Sequence, residues 1–98
     1  MGVKGIRDKV AIIGCDSSKF GEQWDKNQYD LLFEASHGAF KDAGITKDEI
    51  EAAWVGIFYY FTGMSGATVE DILRLDGIPI TRTENYCASG MGSIILRY

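Results

Sequence analysis

Asn85-Tyr86-Cys87-Ala88-Ser89-Gly90-Met91-Gly92 sets a cysteine where a polar extended segment, Ile80 to Tyr86, gives way to small residues of helical character. The first turn of a helix presents unpaired backbone N–H groups and the positive end of the macrodipole. A thiol placed there ionises more readily, and the thiolate is the reactive form. The same N–H groups can stabilise an oxyanion developing on an acyl group at the sulfur. Gly90 and Gly92 each cost about 1 kcal/mol against alanine in a helix interior. Their presence points to close approach by a ligand or another backbone. From spacing alone two readings stand: Cys87 is the nucleophile of an acyl transfer, or it is a small buried hydrophobe. Asn85 and Ser89 either orient Cys87 or serve as cap and strand-end contacts. With Gly90 they are the candidate substrate-side residues.

Outward from this segment the chain alternates strand and helix. Val10 to Cys15 is apolar on both alternating faces, as in a strand covered on both sides of a parallel sheet. Cys15 alternates with core residues there and reads as a buried thiol. Asp16 to Asn27 is polar and reads as a loop. Tyr29 to Ala43 has helical periodicity, with Leu32, Ala35, Ala39, Phe40 and Ala43 on one face and Gly44 at the stop. Thr46-Lys47-Asp48-Glu49 has the form of a capping box. Ala53 to Phe58 is a second two-sided apolar strand, and Phe61 to Ala67 a loop in which Gly63 and Gly66 serve turn geometry. Thr68 with Asp71 opens a helix that runs to Leu75 and ends at Gly77. Pro79 to Tyr86 is a third strand, unusually polar, which suits a sheet edge or an interface. Cys87 onward is the third helix. The expected layout is βαβαβα, an α/β sheet with ligands gathering at the carboxyl ends of its strands.

Composition limits the function classes. Ninety-eight residues fit one small domain, residues 1–98, and 46% hydrophobic content can furnish a core. A net charge of −4 without a basic cluster argues against nucleic-acid binding. The longest apolar run, Ala52 to Phe61, is about half the ~20 residues of a membrane-spanning helix. The N-terminus lacks the apolar stretch of a signal peptide, so a cytoplasmic location is expected. Cys15 and Cys87 form no CxxC pattern, and the single histidine, His37, leaves no metal-site constellation. The final segment, Ser93 to Tyr98, is apolar and carries no helix-ending signal. It reads as a truncated part of a longer protein.

The octapeptide resembles the nucleophile segment of the thiolase superfamily, whose members carry Cys-Ala-Ser-Gly or Cys-Ala-Thr-Gly at this point. The likeness covers most of the chain. Lys9 to Gly14 with Lys19-Phe20-Gly21 resembles the family's first strand and turn, and Leu31 to Gly44 its first helix. Ile78-Pro79-Ile80 leading into Glu84 to Cys87 resembles the strand that delivers the nucleophile. Asn85-x-Cys87 and Trp54-Val55-Gly56 look most like sterol-carrier-protein-2-type thiolases and related lipid-transfer proteins. Ala88-Ser89-Gly90 is nearer the ordinary thiolase form, and the likeness as a whole extends to acetyl-CoA acetyltransferases.

The resemblance implies the N-terminal part of a layered α/β/α fold, incomplete here. It implies acyl transfer in which Cys87 forms a thioester with an acyl-CoA or 3-ketoacyl-CoA, in condensation or thiolysis. Its backbone N–H would donate to the oxyanion. Coenzyme A thioester enters as substrate, and no cofactor or metal is expected to be bound. The family's acid/base histidines and second cysteine lie in its C-terminal half, and His37 matches none of them. His37 falls off the Leu32/Phe40 face and reads as a surface residue. The 98 residues alone are therefore expected to be inactive. A homodimer or homotetramer is expected, with a small partner protein as a further candidate. The alternative is a non-thiolytic thiolase-like aldolase or lipid-transfer subunit acting as a binding or assembly module. Trp54, Phe58, Tyr59, Tyr60 and Phe61 read as core or subunit contacts sooner than as an acyl channel.

Overall fold

The structure, a computed structural model, describes residues 7–58 and 65–96. Tyr59, Tyr60, Phe61 and Gly63 of the expected aromatic run and loop lie outside the described residues. Helix α1 spans Gln28–Ala43. A 3-10 turn, Lys47–Glu49, leads to strand β1, Ala53–Ile57, and helix α2, Gly66–Leu73. Strand β2, Ile80–Glu84, passes through a second 3-10 turn, Tyr86–Ala88, into helix α3, Ser89–Leu96.

Local signals account for the ends of α1. The Asn27 side chain accepts from the Asp30 N–H at 3.0 Å, and the Asp30 carboxylate accepts from the Asn27 N–H at 3.1 Å. That reciprocal pair satisfies two donors at the helix start. At the other end Gly44 adopts φ 71°, ψ 29°, and the N–H groups of Gly44 and Ile45 return to the Lys41 and Phe40 carbonyls. Glycine takes this left-handed conformation without the penalty a Cβ brings. Helix α2 starts earlier than the Thr68 cap expected from sequence. Ser65 is the cap, its Oγ accepting from the Thr68 N–H at 3.2 Å. Gly66, expected in a loop, is the first helical residue. A Cβ there would stand 2.9 Å from the Ile80 carbonyl oxygen, so the glycine lets α2 pass close to β2. The helix also stops before Gly77, at Arg74, which is itself left-handed (φ 56°, ψ 46°).

Strands β1 and β2 pair in parallel, with Ala53 opposite Ile80, Gly56 opposite Thr83 and Ile57 opposite Glu84. Parallel neighbours need a crossover, and α2 supplies it. The register brings the carboxyl ends of both strands level, directly before the turn that carries Cys87. Ile57 and Val69 form the centre of the core, with Leu32, Val55, Ile72, Leu73 and Ile80 packed around them. The α/β class stands, and the expected order holds from β1 onward.

The first expected strand is the exception. Val10 to Cys15 carries no strand pairing among the described residues, and the sheet has two strands. Ile12 is 87% exposed, and Cys15, expected to be buried, is exposed as well. A strand apolar on both faces requires a layer on each side, and among the described residues the segment lies against α1, with Val10 and Ile13 lining an open cleft shared with Ile50 and Trp54. Against α1, Gly14 lies so close that a Cβ would be 2.7 Å from the Ala39 carbonyl oxygen and the Ala43 nitrogen. The Cys15 N–H donates to Asp42 Oδ2 at 3.0 Å. Backbone contact with the helix thus takes the place of a sheet ladder.

Candidate functional site

The junction between β2 and α3 is built around Ser89. This residue is 4% exposed, and its Oγ accepts from the Asn85 N–H at 2.8 Å. The same hydroxyl lies 2.8 Å from the Ile57 carbonyl oxygen and 2.7 Å from that of Tyr86, and it can donate to one of them at a time. One side chain therefore ties the ends of β1 and β2 to the start of α3. Tyr86, held within this clamp, has φ 47°. A bulky residue in the left-handed region is strained, and such strain persists only where the surroundings over-determine it. The result is a sharp strand-to-helix turn with Cys87 on its outside, the thiol exposed.

A second polar seam lies beneath the turn. Thr83 and Ser93 are 7% and 8% exposed, and their hydroxyl oxygens stand 2.7 Å apart. Each is also within reach of the Ser89 carbonyl oxygen, at 3.2 and 3.1 Å. Whichever hydroxyl donates to the other, the relay ends on a backbone carbonyl, that of Ser89 or, from Thr83, that of Val55 at 3.4 Å. Gly56 completes the arrangement from β1. A Cβ on it would meet the Ser89 carbonyl carbon and oxygen at 2.7 Å and the Gly90 nitrogen at 2.9 Å.

The residues singled out from sequence around Cys87 each have a defined place. Cys87 sits in the 3-10 turn that precedes α3. Ser89 faces inward and makes the strand-end contact. Asn85 is exposed, with its backbone N–H held by Ser89. Gly90 is exposed, and a Cβ added to it or to Gly92 would meet nothing within 4 Å. The close approach these glycines suggested is thus not made by the described residues of this chain. Phe58 and Tyr86, 51% and 66% exposed, pack edge to face with ring centroids 5.7 Å apart beside the turn. His37 is exposed and stacks on Phe33 at 5.3 Å within α1, remote in sequence from Cys87. No cluster of three His, Cys, Asp or Glu suited to a metal ion occurs among the described residues. None of their helices is long and apolar enough to cross a membrane.

Sequence reasoning missed Thr83, Ser93 and Gly56. Ser89 and Ser93 are four apart and so share a helix face, which was a usable signal. The Gly56 contact joins residues more than thirty positions apart and leaves no local trace.

A parallel strand that delivers an exposed cysteine through a tight turn into a glycine-bearing helix defines a thiolase-type α/β unit. The chain belongs to the thiolase superfamily. An acetyl-CoA acetyltransferase of Methanothermobacter thermautotrophicus is 40% identical over 90 residues, covering 87% of this chain and 23% of that protein. Sterol carrier protein 2 of Gallus gallus is 32% identical over 93 residues, covering 93% of this chain and 17% of that protein. The chain therefore spans less than a quarter of the length of these two curated relatives. The tetronic acid condensing enzyme AbyA1 shares the fold, with a TM-score of 0.77 at 18% identity, over 90% of this chain and 37% of that one. No family model matches the chain.

Proposed function

We propose that Cys87 is the nucleophile of an acyl transfer that starts from a coenzyme A thioester. The observation that carries this reading is the exposed thiol on the outside of a strained, clamped turn between β2 and α3. The Cys87 sulfur attacks the thioester carbonyl carbon and a new C–S bond forms. The bond to the coenzyme A sulfur breaks, and that sulfur leaves as a thiol with the proton Cys87 gave up. The acyl group then passes to coenzyme A in thiolysis or to a carbon nucleophile in condensation. Open space at Gly90 gives a thioester room to approach, and Asn85 lies at the rim of the same turn. Ser89 acts as a positioning residue, fixing the turn from inside. Removing a proton from a substrate α-carbon needs a further base, which the turn does not contain, so we infer that these 98 residues do not turn over alone. The test is intact mass after incubation of the full-length protein with acetyl-CoA. An acetyl adduct lost in Cys87→Ala is expected. No adduct, or one that survives the substitution, overturns the reading.

The second reading is a binding or assembly module of the lipid-transfer type, acting as a homodimer or homotetramer. It is favoured by β2, a polar strand whose only ladder among the described residues is with β1. Within that strand the Arg82 Nε is buried without a hydrogen-bond partner. Sedimentation of the full-length protein as a monomer would exclude it.

A further inference from the structure

A cleft of about 510 Å³ lies where the C-terminal ends of α1 and α2 meet, and none of the residues lining it belongs to the turn around Cys87. Its apolar lining comes from Phe33 and Phe40 of α1, Ile45 after it, and Ile72 and Leu73 of α2. Lys41, Lys47 and Arg74 also line it, with Asp48 the single carboxylate among the lining residues. In a chain of net charge −4, that concentration of cations is local and not compositional.

The charges are not used up internally. The Lys47 Nζ stands 3.5 Å from Asp48 Oδ1 and donates to the Arg74 carbonyl oxygen at 3.1 Å, so it answers both the carboxylate and a helix end. Lys41 and the Arg74 guanidinium have no hydrogen bond or ion pair among the described residues. The two helix C-termini contribute only about half a negative charge each, which leaves the rim positive. A concave site of this size, apolar with a few convergent polar groups, is the usual form of a small-molecule pocket.

We propose that this cleft binds an amphipathic carboxylate. The hydrocarbon would lie on Phe33, Phe40 and Ile72, and the carboxylate would pair with Arg74 and Lys41. A guanidinium takes a carboxylate in a two-pronged geometry that an ammonium cannot match. Both residues line the same cleft, Lys41 from α1 and Arg74 from the C-cap of α2. The proposal is independent of the chemistry at Cys87.

Calorimetric titration of the full-length protein at neutral pH tests it, with decanoate, decanol and decyltrimethylammonium as probes below their aggregation concentrations. Decanoate is expected to bind saturably and at least about tenfold more tightly than decanol, with the cationic probe weakest. Arg74→Gly and Lys41→Gln should each weaken decanoate about tenfold and leave decanol unchanged. Arg74→Gly keeps the fold, because glycine suits the left-handed backbone at that position. Cys87→Ala should bind decanoate as the parent does, which separates this cleft from the acyl-transfer site. Equal affinity for decanoate and decanol, no saturable binding of any probe, or variants indifferent to decanoate would each overturn the proposal.

Discussion

Gly56 and Ser89 are in direct backbone contact: a Cβ on residue 56 would stand 2.7 Å from the carbonyl carbon and oxygen of Ser89. The contact seats the start of α3 on β1, and with it the turn that holds Cys87. Gly56→Ala cannot be accommodated by a flexible side chain, since the atoms it meets are backbone. Overpacking of this kind costs about 1–3 kcal/mol, so the melting temperature should fall by roughly 4 °C or more. Calorimetry checks the loss, and a faster reaction of Cys87 with a thiol reagent would report the displaced turn. An unchanged melting temperature would mean that the two backbones are not in contact.

Arg74 makes the opposite prediction. Its φ of 56° and ψ of 46° lie where an L-residue is disfavoured by about 1–2 kcal/mol, while glycine is not. Glycine also has more freedom to lose on folding, so the net gain from Arg74→Gly should be near 0.5–1 kcal/mol. A thermal melt should shift upward by a few degrees. A downward shift would show that the guanidinium makes a contact worth more than the backbone strain.

Lys26 and Glu34 pair at 3.0 Å on a partly exposed surface. The hydrogen bond to Glu34 and then its charge, aided by Asp25 and Asp30, raise the Lys26 pKa above its ordinary value against the opposing effect of desolvation. A lysine whose folded pKa is raised contributes its stability in full below the unfolded pKa, about 10.4. That contribution is lost as pH rises through the folded value. The melting-temperature difference between the parent and Glu34→Gln should thus be small, flat from neutral pH to about 9, and vanish on the alkaline side. A difference that persists above the lysine range would exclude the pair as its source.

How much of this was legible in the sequence depends on the range of each signal. The stop of α1 at Gly44 and the Thr46 to Glu49 turn are written in neighbouring residues, and both occur in the structure; the third helix, expected from Cys87 onward, begins at Ser89, with Cys87 in a 3-10 turn before it. The start of α2 was expected at Thr68, which has the form of a cap; Ser65 takes that role instead, and its Oγ holds the Thr68 N–H. Val10 to Cys15 has the composition of a covered strand, but pairing depends on distant partners, and in this chain it meets α1 instead. Thr83 sits in a strand that looked merely polar. Its burial follows from α3 lying over it, which composition does not encode.

Gly90 separates a ligand role from a structural one. A Cβ added there meets no atom within 4 Å, so within the described chain Gly90→Ala should be harmless. As alanine is favoured over glycine in a helix by about 1 kcal/mol, the variant should be slightly more stable. If the open space serves a thioester on its way to Cys87, the same variant should acylate at least about tenfold more slowly. Higher melting temperature with slower adduct formation is the expected pair of results. Full acylation in a stabilised variant would show that no ligand passes over Gly90.

Ser89→Ala tests whether the turn is held from within. The hydroxyl it removes is the acceptor of the Asn85 N–H and the donor to either Ile57 or Tyr86. Leaving the part-buried Asn85 N–H without its acceptor costs at most about 1–3 kcal/mol, and the strain held at Tyr86 is of similar size. With the clamp gone, Tyr86 is free to relax from its left-handed conformation, and the Cys87 thiol moves with it. The variant should melt several degrees lower and form the acetyl adduct more slowly, yet still react with a small alkylating reagent. That split distinguishes lost positioning from lost reactivity. If adduct formation and alkylation both match the parent while stability falls, Ser89 supports the fold only and does not set the place of the sulfur.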